Sequence, residues 1–223
     1  AEYKARLVER LLPEERGSLT DLTGGFGVDF SFLAPLFRNA VYVERNSDLC
    51  EMAQHNLPLL GAGHARVECA QAEDFLDGAG QQDLIFLDPA RRDDAGRKVV
   101  ALSDCSPDVA ALSPALLSRS RVVMVKLSPM LDIGQALLSL HAAREVHTVS
   151  VDGECRELLL VLAAGECRPA YHCVNLGRHP LSFVTSERHA QPRIAGAPGQ
   201  FLYEPNASIL KAGVQDALCE SMD

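Results

Sequence analysis

Hydrophobic residues along the first 141 positions form blocks that alternate between strand-like and helix-like patterns. The strand-like blocks are rich in Val, Ile and Leu with little polar alternation, as is typical of strands covered by helices on both faces. The pattern predicts strands ending at Asp21 and over 40–44, 65–70, 82–88 and 121–127. It predicts helices over about 2–12, 28–37, 47–59, 72–76, 106–118 and 131–141. This alternation indicates an α/β fold built on a parallel sheet.

The pattern changes after residue 142. Residues 143–165 contain two strand-like runs joined at Asp152 and Gly153, which predicts a β-hairpin. From residue 166 onward Pro, Gly and His are frequent, and only CVNL and LSFVT look like strands before a final turn and helix. We therefore predict one domain over 1–165 and the start of a partial or small second domain over 166–223.

The composition and net charge of the chain limit the kinds of partner that it can bind. The chain of 223 residues is 47% hydrophobic and 23% charged, the balance of a globular protein, and no apolar run approaches the ~20 residues that cross a bilayer. A net charge of −9 argues against a surface that binds nucleic acid broadly, although Arg91, Arg92, Arg97 and Lys98 could form a local basic patch. Because the sequence lacks an initiator methionine, we expect it to be part of a longer protein.

The seven cysteines are scattered, odd in number and free of CxxC pairs. This use of cysteine favours a reducing cytoplasm. Cys167, His172, Cys173 and His179 lie close together in sequence, but they fit no standard zinc spacing. The sequence therefore predicts no metal site.

The first predicted strand ends in a glycine-rich turn, DLTGGFGVDF over 21–30, that opens a helix. Glycine in such a turn permits backbone angles and close approaches that a Cβ would block, and the free N–H groups at the helix start can face an anionic ligand group. A dinucleotide-binding GxGxxG would require glycine where Phe30 stands, and no GxxxxGK[ST] occurs. These absences disfavour a nicotinamide, a flavin or P-loop hydrolysis of a nucleotide.

The turn resembles motif I, D-x-x-x-G-x-G, of the class I methyltransferases that use S-adenosylmethionine (SAM). Thr23 departs from the glycine that many members have there. The resemblance implies a Rossmann-like seven-stranded sheet whose last strand is antiparallel, and a SAM site at the turn. The implied cofactor-binding residues of the turn are Asp21, Thr23, Gly24, Gly25, Phe26, Gly27 and Asp29. Asp29 could instead serve only the helix dipole.

The next two strand ends complete the implied cofactor site. In this fold an acid at the end of the second strand accepts hydrogen bonds from the ribose hydroxyls, which here implies Glu44 with Arg45 beside it; the alternative is a solvated Glu. After the third strand, Gln71, Ala72 and Glu73 stand where the adenine should lie. Many relatives have Asp at the position of Gln71, so which side chain meets the adenine amino group stays open.

The fourth strand ends in LIFLDPARRD, the most specific stretch of the chain. Asp88 is placed to align an acceptor with the methyl group or to take its proton, which makes it our catalytic candidate. Pro89, Arg91 and Arg92 are candidate substrate contacts, although surface arginine pairs are commonly just solvated. The stretch is similar to the [DN]PP[YF] motif of amino-group methyltransferases, but Ala90 replaces the second proline and no aromatic residue follows.

A ribose hydroxyl is the other acceptor considered. The order Lys4, Asp88, Lys126 and Glu157 resembles the K-D-K-E tetrad of ribose 2′-O-methyltransferases, in which a lysine of lowered pKa helps deprotonate the hydroxyl. On this basis Lys126 joins Asp88 as a catalytic candidate. Alternatively Lys126 only balances Asp88, and Lys4 is a surface residue.

Residues 1–165 most resemble a bacterial group of predicted methyltransferases with a THUMP-like C-terminal domain. The shared stretches include DLTGGFGVD, VERN, DPARRD, VKLSPMLDI, ECRELLLVL and, beyond this region, the tail YEPNASILKAG. The resemblance implies an RNA substrate, because THUMP-type domains bind RNA. A small-molecule methyltransferase, which the acidic net charge favours, and a SAM-fold binding module without catalysis are the alternatives.

Overall fold

The computed structural model describes residues 1–91, 102, 105–165, 168–188, 196–197 and 199–222. The chain divides into two compact units: the first comprises 1–125 with 162–164, and the second comprises 126–161 with 165–223. The predicted domain division at residue 165 stays a prediction. No described helix combines the length and the apolar character that crossing a membrane requires.

The first unit is an α/β layer structure. Its helices are α1 (Glu2–Leu11), α2 (Val28–Leu33), α3 (Ser47–Leu59), α4 (Ala72–Gly78) and α5 (Val109–Arg119). Its strands are β1 (Ser18–Asp21), β2 (Asn39–Glu44), β3 (Arg66–Cys69), β4 (Gln82–Leu87), β5 (Ala90–Arg91), β6 (Cys105–Ser106) and the greater part of β7 (Ser120–Leu127). A 3₁₀ turn over Ala34–Leu36 continues α2, because Pro35 cannot donate the hydrogen bond that an α-helix needs there.

The strands of this unit pair in parallel in the order β7-β4-β1-β2-β3. The middle positions of β1, β2, β4 and β7 are largely apolar and buried, with Leu19, Tyr42, Ile85 and Met124 each at most 1% exposed, whereas the edge strand β3 has no buried position. Burial on both faces explains why the strands lack polar alternation. All carboxyl ends of parallel strands meet at one edge, so the residues that follow β1, β2 and β4 are brought together there. The antiparallel pair β5 and β6 forms a separate small sheet.

The second unit contains α6 (Ile133–Ser139), β8 (Ala143–Val151), β9 (Glu154–Leu162), β10 (Ala170–Leu176), β11 (Leu181–Thr185), α7 (Ala207–Ala212) and α8 (Gln215–Ser221). The predicted hairpin is confirmed: β8 and β9 are hydrogen-bonded neighbours joined at Asp152 and Gly153, which both have positive φ, as a tight hairpin turn requires. Strand β10 pairs in parallel with β8 and antiparallel with β11.

Among the residues that the structure describes, the large sheet has nine strands, so the prediction of seven is wrong. The two additional strands are β10 and β11, which contain the CVNL and LSFVT segments that the sequence assigned to a second domain. Strands pair through backbone groups, and a side-chain pattern therefore reveals that a segment is extended without revealing which strand it pairs with. Helix α7 packs on β8 and β10, where the Thr148 hydroxyl donates to the Ser208 carbonyl oxygen at 2.8 Å.

Candidate functional site

The glycine turn after β1 rests on the side chain of Tyr42. A Cβ at Gly24 would lie 2.1 Å from the Tyr42 ring, a separation that packed atoms do not reach. The Tyr42 hydroxyl also donates a hydrogen bond to the Gly25 carbonyl oxygen. Gly25 and Gly27 have φ of +53° and +72°, which L side chains rarely adopt. Glycine is thus required for packing at position 24 and for backbone conformation at positions 25 and 27.

Glu44, at the end of β2, braces the same turn. One carboxylate oxygen, Oε2, accepts the Gly25 N–H at 2.9 Å, and the other, Oε1, accepts the Asn46 N–H at 2.9 Å. The Asn46 side chain in turn caps α3 by accepting the Asp48 N–H. A carboxylate has about four acceptor sites, so two remain for a ligand that offers a pair of hydroxyl groups.

Thr23 links the ends of β1 and β4. Its hydroxyl oxygen accepts the Asp88 N–H at 2.6 Å and lies 3.4 Å from Oδ1 of Asp21. The Thr23 N–H donates to the same Asp21 oxygen at 2.9 Å. This hydroxyl therefore fixes the backbone of the catalytic candidate Asp88 relative to the glycine turn.

Asp21 is buried, and burial raises its pKa to about 8. The Thr23 N–H opposes this shift, whereas the negative charges of Asp29 and Asp88 add to it. The two charges act on Asp21 because the three carboxyl groups lie in one neighbourhood. A ligand that brings positive charge here would be attracted by Asp88 and would lower the pKa of Asp21.

Asp29, in the first turn of α2, pairs with Lys4 of α1. The Lys4 Nζ lies 3.1 Å from Asp29 Oδ1, and the lysine side chain is only 2% exposed. Lys4 is thus a buried partner of Asp29, and the expectation that it could be a surface residue is wrong. The carboxylate also stands at a helix start, where the dipole favours negative charge.

The remaining predicted cofactor residues have varied environments. Phe26 is 80% exposed at the tip of the glycine turn. The Arg45 guanidinium donates to the Ser106 hydroxyl at 3.2 Å, which connects the end of β2 to β6. Gln71, Ala72 and Glu73 form the start of α4, with Ala72 buried and Gln71 exposed.

The predicted catalytic and substrate residues after β4 are described in part. Asp88 is half-buried and follows Leu87, where the strand ends, and Pro89 is buried. Arg91 lies in β5, and Arg92 lies outside the described residues, as do Arg97 and Lys98 of the proposed basic patch. Lys126 and Glu157 belong to the second unit, and their role beside Asp88 stays a prediction.

Two residues of the site were missed by the sequence interpretation. Tyr42 was counted only as part of a hydrophobic strand, although a tyrosine at a buried strand position is itself a signal, because its hydroxyl requires a partner. Asn46 could have been found from the helix-start pattern Asn-Ser-Asp that follows Glu44.

Comparison with solved structures identifies the fold. A predicted methyltransferase from Porphyromonas gingivalis W83 is 30% identical with a TM-score of 0.84; the match covers 98% of this chain and 56% of that one. This chain thus spans little more than half the length of that protein. No protein-family model and no curated protein matches the sequence significantly.

Two solved structures of lower sequence identity have the same fold. An rRNA methylase from Streptococcus thermophilus is 13% identical with a TM-score of 0.54, covering 72% of this chain and 94% of that one. The O-methyltransferase TomG from Streptomyces achromogenes, solved with SAM, is 18% identical with a TM-score of 0.53, covering 74% and 81%. These structural relatives share the fold of the SAM-dependent methyltransferases, and this chain has that fold.

Proposed function

We propose that this chain binds SAM and transfers its methyl group to RNA, with an amino group as the favoured acceptor. The observation that carries the proposal is the position of Glu44. Its carboxylate is fixed beside the glycine turn by the Gly25 and Asn46 N–H groups and keeps two acceptor sites for the ribose hydroxyls. Hydrogen bonds to a charged group contribute roughly 1.5–3 kcal/mol each, so two of them supply a substantial part of a micromolar affinity.

The residues fit the charge and the shape of SAM. The space beside Gly25 and Gly27 is open to a ligand, since a Cβ on either would meet no atom closer than 3.5 Å. The carboxylate of Asp88 supplies negative potential that favours a sulfonium cation. We assign Glu44 to the ribose, the turn over 23–27 to the methionine part, and the start of α4 to the adenine.

When bound, SAM supplies an electrophilic methyl group on a positively charged sulfur. Asp88 is positioned by Thr23 to accept a hydrogen bond from the acceptor amine, which directs the nitrogen lone pair toward the methyl carbon. An amine that accepts the methyl group would have to lose a proton, and the Asp88 carboxylate would accept that proton directly or through water. Buried Pro89 fixes the chain direction after Asp88.

RNA is proposed as the substrate on three grounds. The chain resembles predicted methyltransferases with a THUMP-like domain, and an rRNA methylase shares its fold. The arginines after β4 suit phosphate, which planar guanidinium groups bind in a bidentate manner. The second candidate is a small-molecule substrate, favoured by the net charge of −9. We place either activity in the reducing cytoplasm, in accord with the scattered cysteines.

Calorimetry with SAM and with its demethylated product tests the cofactor site. We expect Glu44→Ala to weaken binding at least tenfold, about 1.4 kcal/mol. Glu51→Ala, which removes an exposed carboxylate from α3, is the matched control and should bind as the wild type does. Because Glu44 also braces the glycine turn, thermal unfolding of each variant must be measured alongside. Unchanged affinity in folded Glu44→Ala would remove Glu44 from the site.

Transfer of a tritiated methyl group to total RNA, DNA and metabolite pools tests the substrate class. We expect label in RNA, and label in metabolites alone would favour the small-molecule candidate. Asp88→Ala should abolish transfer while leaving SAM affinity nearly intact, whereas the exposed Asp77→Ala should change neither. Transfer by Asp88→Ala at the wild-type rate would contradict the catalytic role.

A further inference from the structure

Three side chains capable of binding a metal meet in the second unit, and none of them is among the residues assigned to the proposed methyl transfer. Glu145 and His147 lie on β8, and His172 lies on β10. Because β8 and β10 run in parallel with His147 opposite His172, the two imidazoles are neighbours across the pair. Glu145 stands two residues before His147, so its side chain projects from the same face.

The donor atoms of the three residues converge. Glu145 Oε2 lies 2.8 Å from His147 Nε2 and 3.6 Å from His172 Nε2, and one ligand atom from each residue lies within 4.8 Å of the others. In a tetrahedral zinc site with bonds of about 2.0–2.1 Å, ligand atoms are separated by about 3.3 Å. The two measured separations bracket that value.

The environment also suits a cation. His147 is 1% exposed, whereas Glu145 and His172 are 15% and 18% exposed, so the cluster is anchored inside and reachable from outside. The two imidazole rings stack, with centroids 4.4 Å apart and planes inclined by 17°. To place one ion in both ring planes the rings must splay, a rotation about χ2, which is a soft torsion for histidine.

We propose that Glu145, His147 and His172 bind one divalent transition-metal ion, with zinc as the best match, and that the ion fastens β8 to β10. Two histidines and one glutamate are an established zinc ligand set that leaves the fourth position to water. Magnesium and calcium prefer oxygen ligands alone, which this cluster does not offer. The proposal is independent of the proposed methyl transfer.

The sequence predicted no metal site, because its neighbouring cysteines and histidines fit no standard zinc spacing. Of Cys167, His172, Cys173 and His179, only His172 belongs to the cluster, and Cys167 lies outside the described residues. Cys173 follows His172 in β10, so its side chain projects from the opposite face of the sheet. The partners of His172 come from a neighbouring strand more than twenty residues earlier.

Zinc titration of the chelator-treated full chain by calorimetry tests the site. We expect one zinc ion per chain. Loss of a residue that only supports a metal ligand costs 10–100-fold in affinity, so losing a ligand in Glu145→Gln or His172→Gln should cost about a hundredfold or more. Glu154→Gln and His179→Gln replace an exposed carboxylate and an exposed imidazole of the same unit, and both should keep wild-type affinity. His147 is left unchanged because its burial makes unfolding the expected result of replacing it.

Cobalt substitution distinguishes this cluster from the exposed thiols of Cys69 and Cys219. Cobalt bound by imidazole and carboxylate lacks the thiolate-to-cobalt charge-transfer absorption, so its absence supports the proposal. Thiolate-to-cobalt absorption after addition of one equivalent of cobalt would overturn the proposal. A wild-type chain that binds no zinc would also overturn it, and so would unchanged zinc affinity in both Glu145→Gln and His172→Gln. Circular dichroism must show that each variant is folded, and SAM affinity should be equal in all of them.

Discussion

Replacement of the buried Asp21 by asparagine should change how stability depends on pH. Burial, together with the smaller effect of the charges of Asp29 and Asp88, raises the pKa of Asp21 from 3.8 to about 8 in the folded protein, although the Thr23 N–H opposes the shift. Between these two values the folded chain holds a proton that the unfolded chain has released. The contribution of Asp21 to stability is therefore greatest below the unfolded pKa and is lost as pH rises toward the folded one.

The magnitude follows from the proton count. With one extra proton bound in the folded state, the free energy of unfolding falls by about 1.4 kcal/mol per pH unit. Between pH 5 and pH 7 this amounts to about 2.7 kcal/mol. Asparagine does not titrate and still offers an oxygen to the Thr23 N–H, so Asp21→Asn lacks this dependence. The difference in unfolding free energy, wild type minus variant, should fall by about 2.7 kcal/mol over the interval.

Urea unfolding at pH 5, 6 and 7 measures this difference, and groups that titrate equally in both proteins cancel. Asp83→Asn is the matched control. Burial would raise the pKa of Asp83, but N–H groups of Ser18 and Gly17 and the Arg121 guanidinium lower it overall. Asp83 is therefore ionised in both folded and unfolded chains above pH 5. The difference in unfolding free energy between wild type and Asp83→Asn should not change with pH. If the difference in unfolding free energy between wild type and Asp21→Asn were also independent of pH, a raised pKa of Asp21 would be refuted.

Other changes at the site have definite expected outcomes. Thr23→Val removes the acceptor of the Asp88 N–H and should cost about 1–3 kcal/mol of stability in urea unfolding, whereas Thr23→Ser keeps the hydroxyl and should cost less than half of that. Gly24→Ala should lower stability by about 1–3 kcal/mol because its Cβ overlaps the Tyr42 ring, and the loss should shrink when Tyr42→Ala is combined with it. Tyr42→Phe removes the hydrogen bond to the Gly25 carbonyl oxygen and should cost about 1 kcal/mol; an unchanged unfolding midpoint would contradict that bond's contribution.

The parallel part of the fold could be predicted because continuous apolar strands that alternate with amphipathic helices are compatible with few folds other than a parallel sheet covered by helices. Strand β1 ends at Asp21 as expected, and β4 ends one residue before Asp88. The predicted helix over 28–37 was too long as an α-helix, because Pro35 converts its end to a 3₁₀ turn. The two-residue strands β5 and β6 could not be predicted, since two residues are too few to show a periodic pattern of hydrophobic positions.

The sequence could predict the position of a residue that follows a strand end, but it could not predict contacts that depend on packing. The sequence placed Asp21, Glu44 and Asp88 at one sheet edge, because parallel strands end there together. It could not show that Glu44 binds two backbone N–H groups, since such bonds depend on the path of the turn. It missed the histidine cluster for a related reason, because the register between β8 and β10 aligns residues that are distant in sequence.

The contact between Gly24 and Tyr42 limits which residues can occur together at positions 24 and 42 during evolution. The tyrosine ring fills the volume that any side chain at position 24 would need, and its hydroxyl is committed to the adjacent backbone. A larger residue at position 24 is therefore tolerated only if position 42 becomes smaller at the same time. Among homologous chains the two positions should co-vary, with glycine accompanying an aromatic ring and larger residues accompanying a shortened partner.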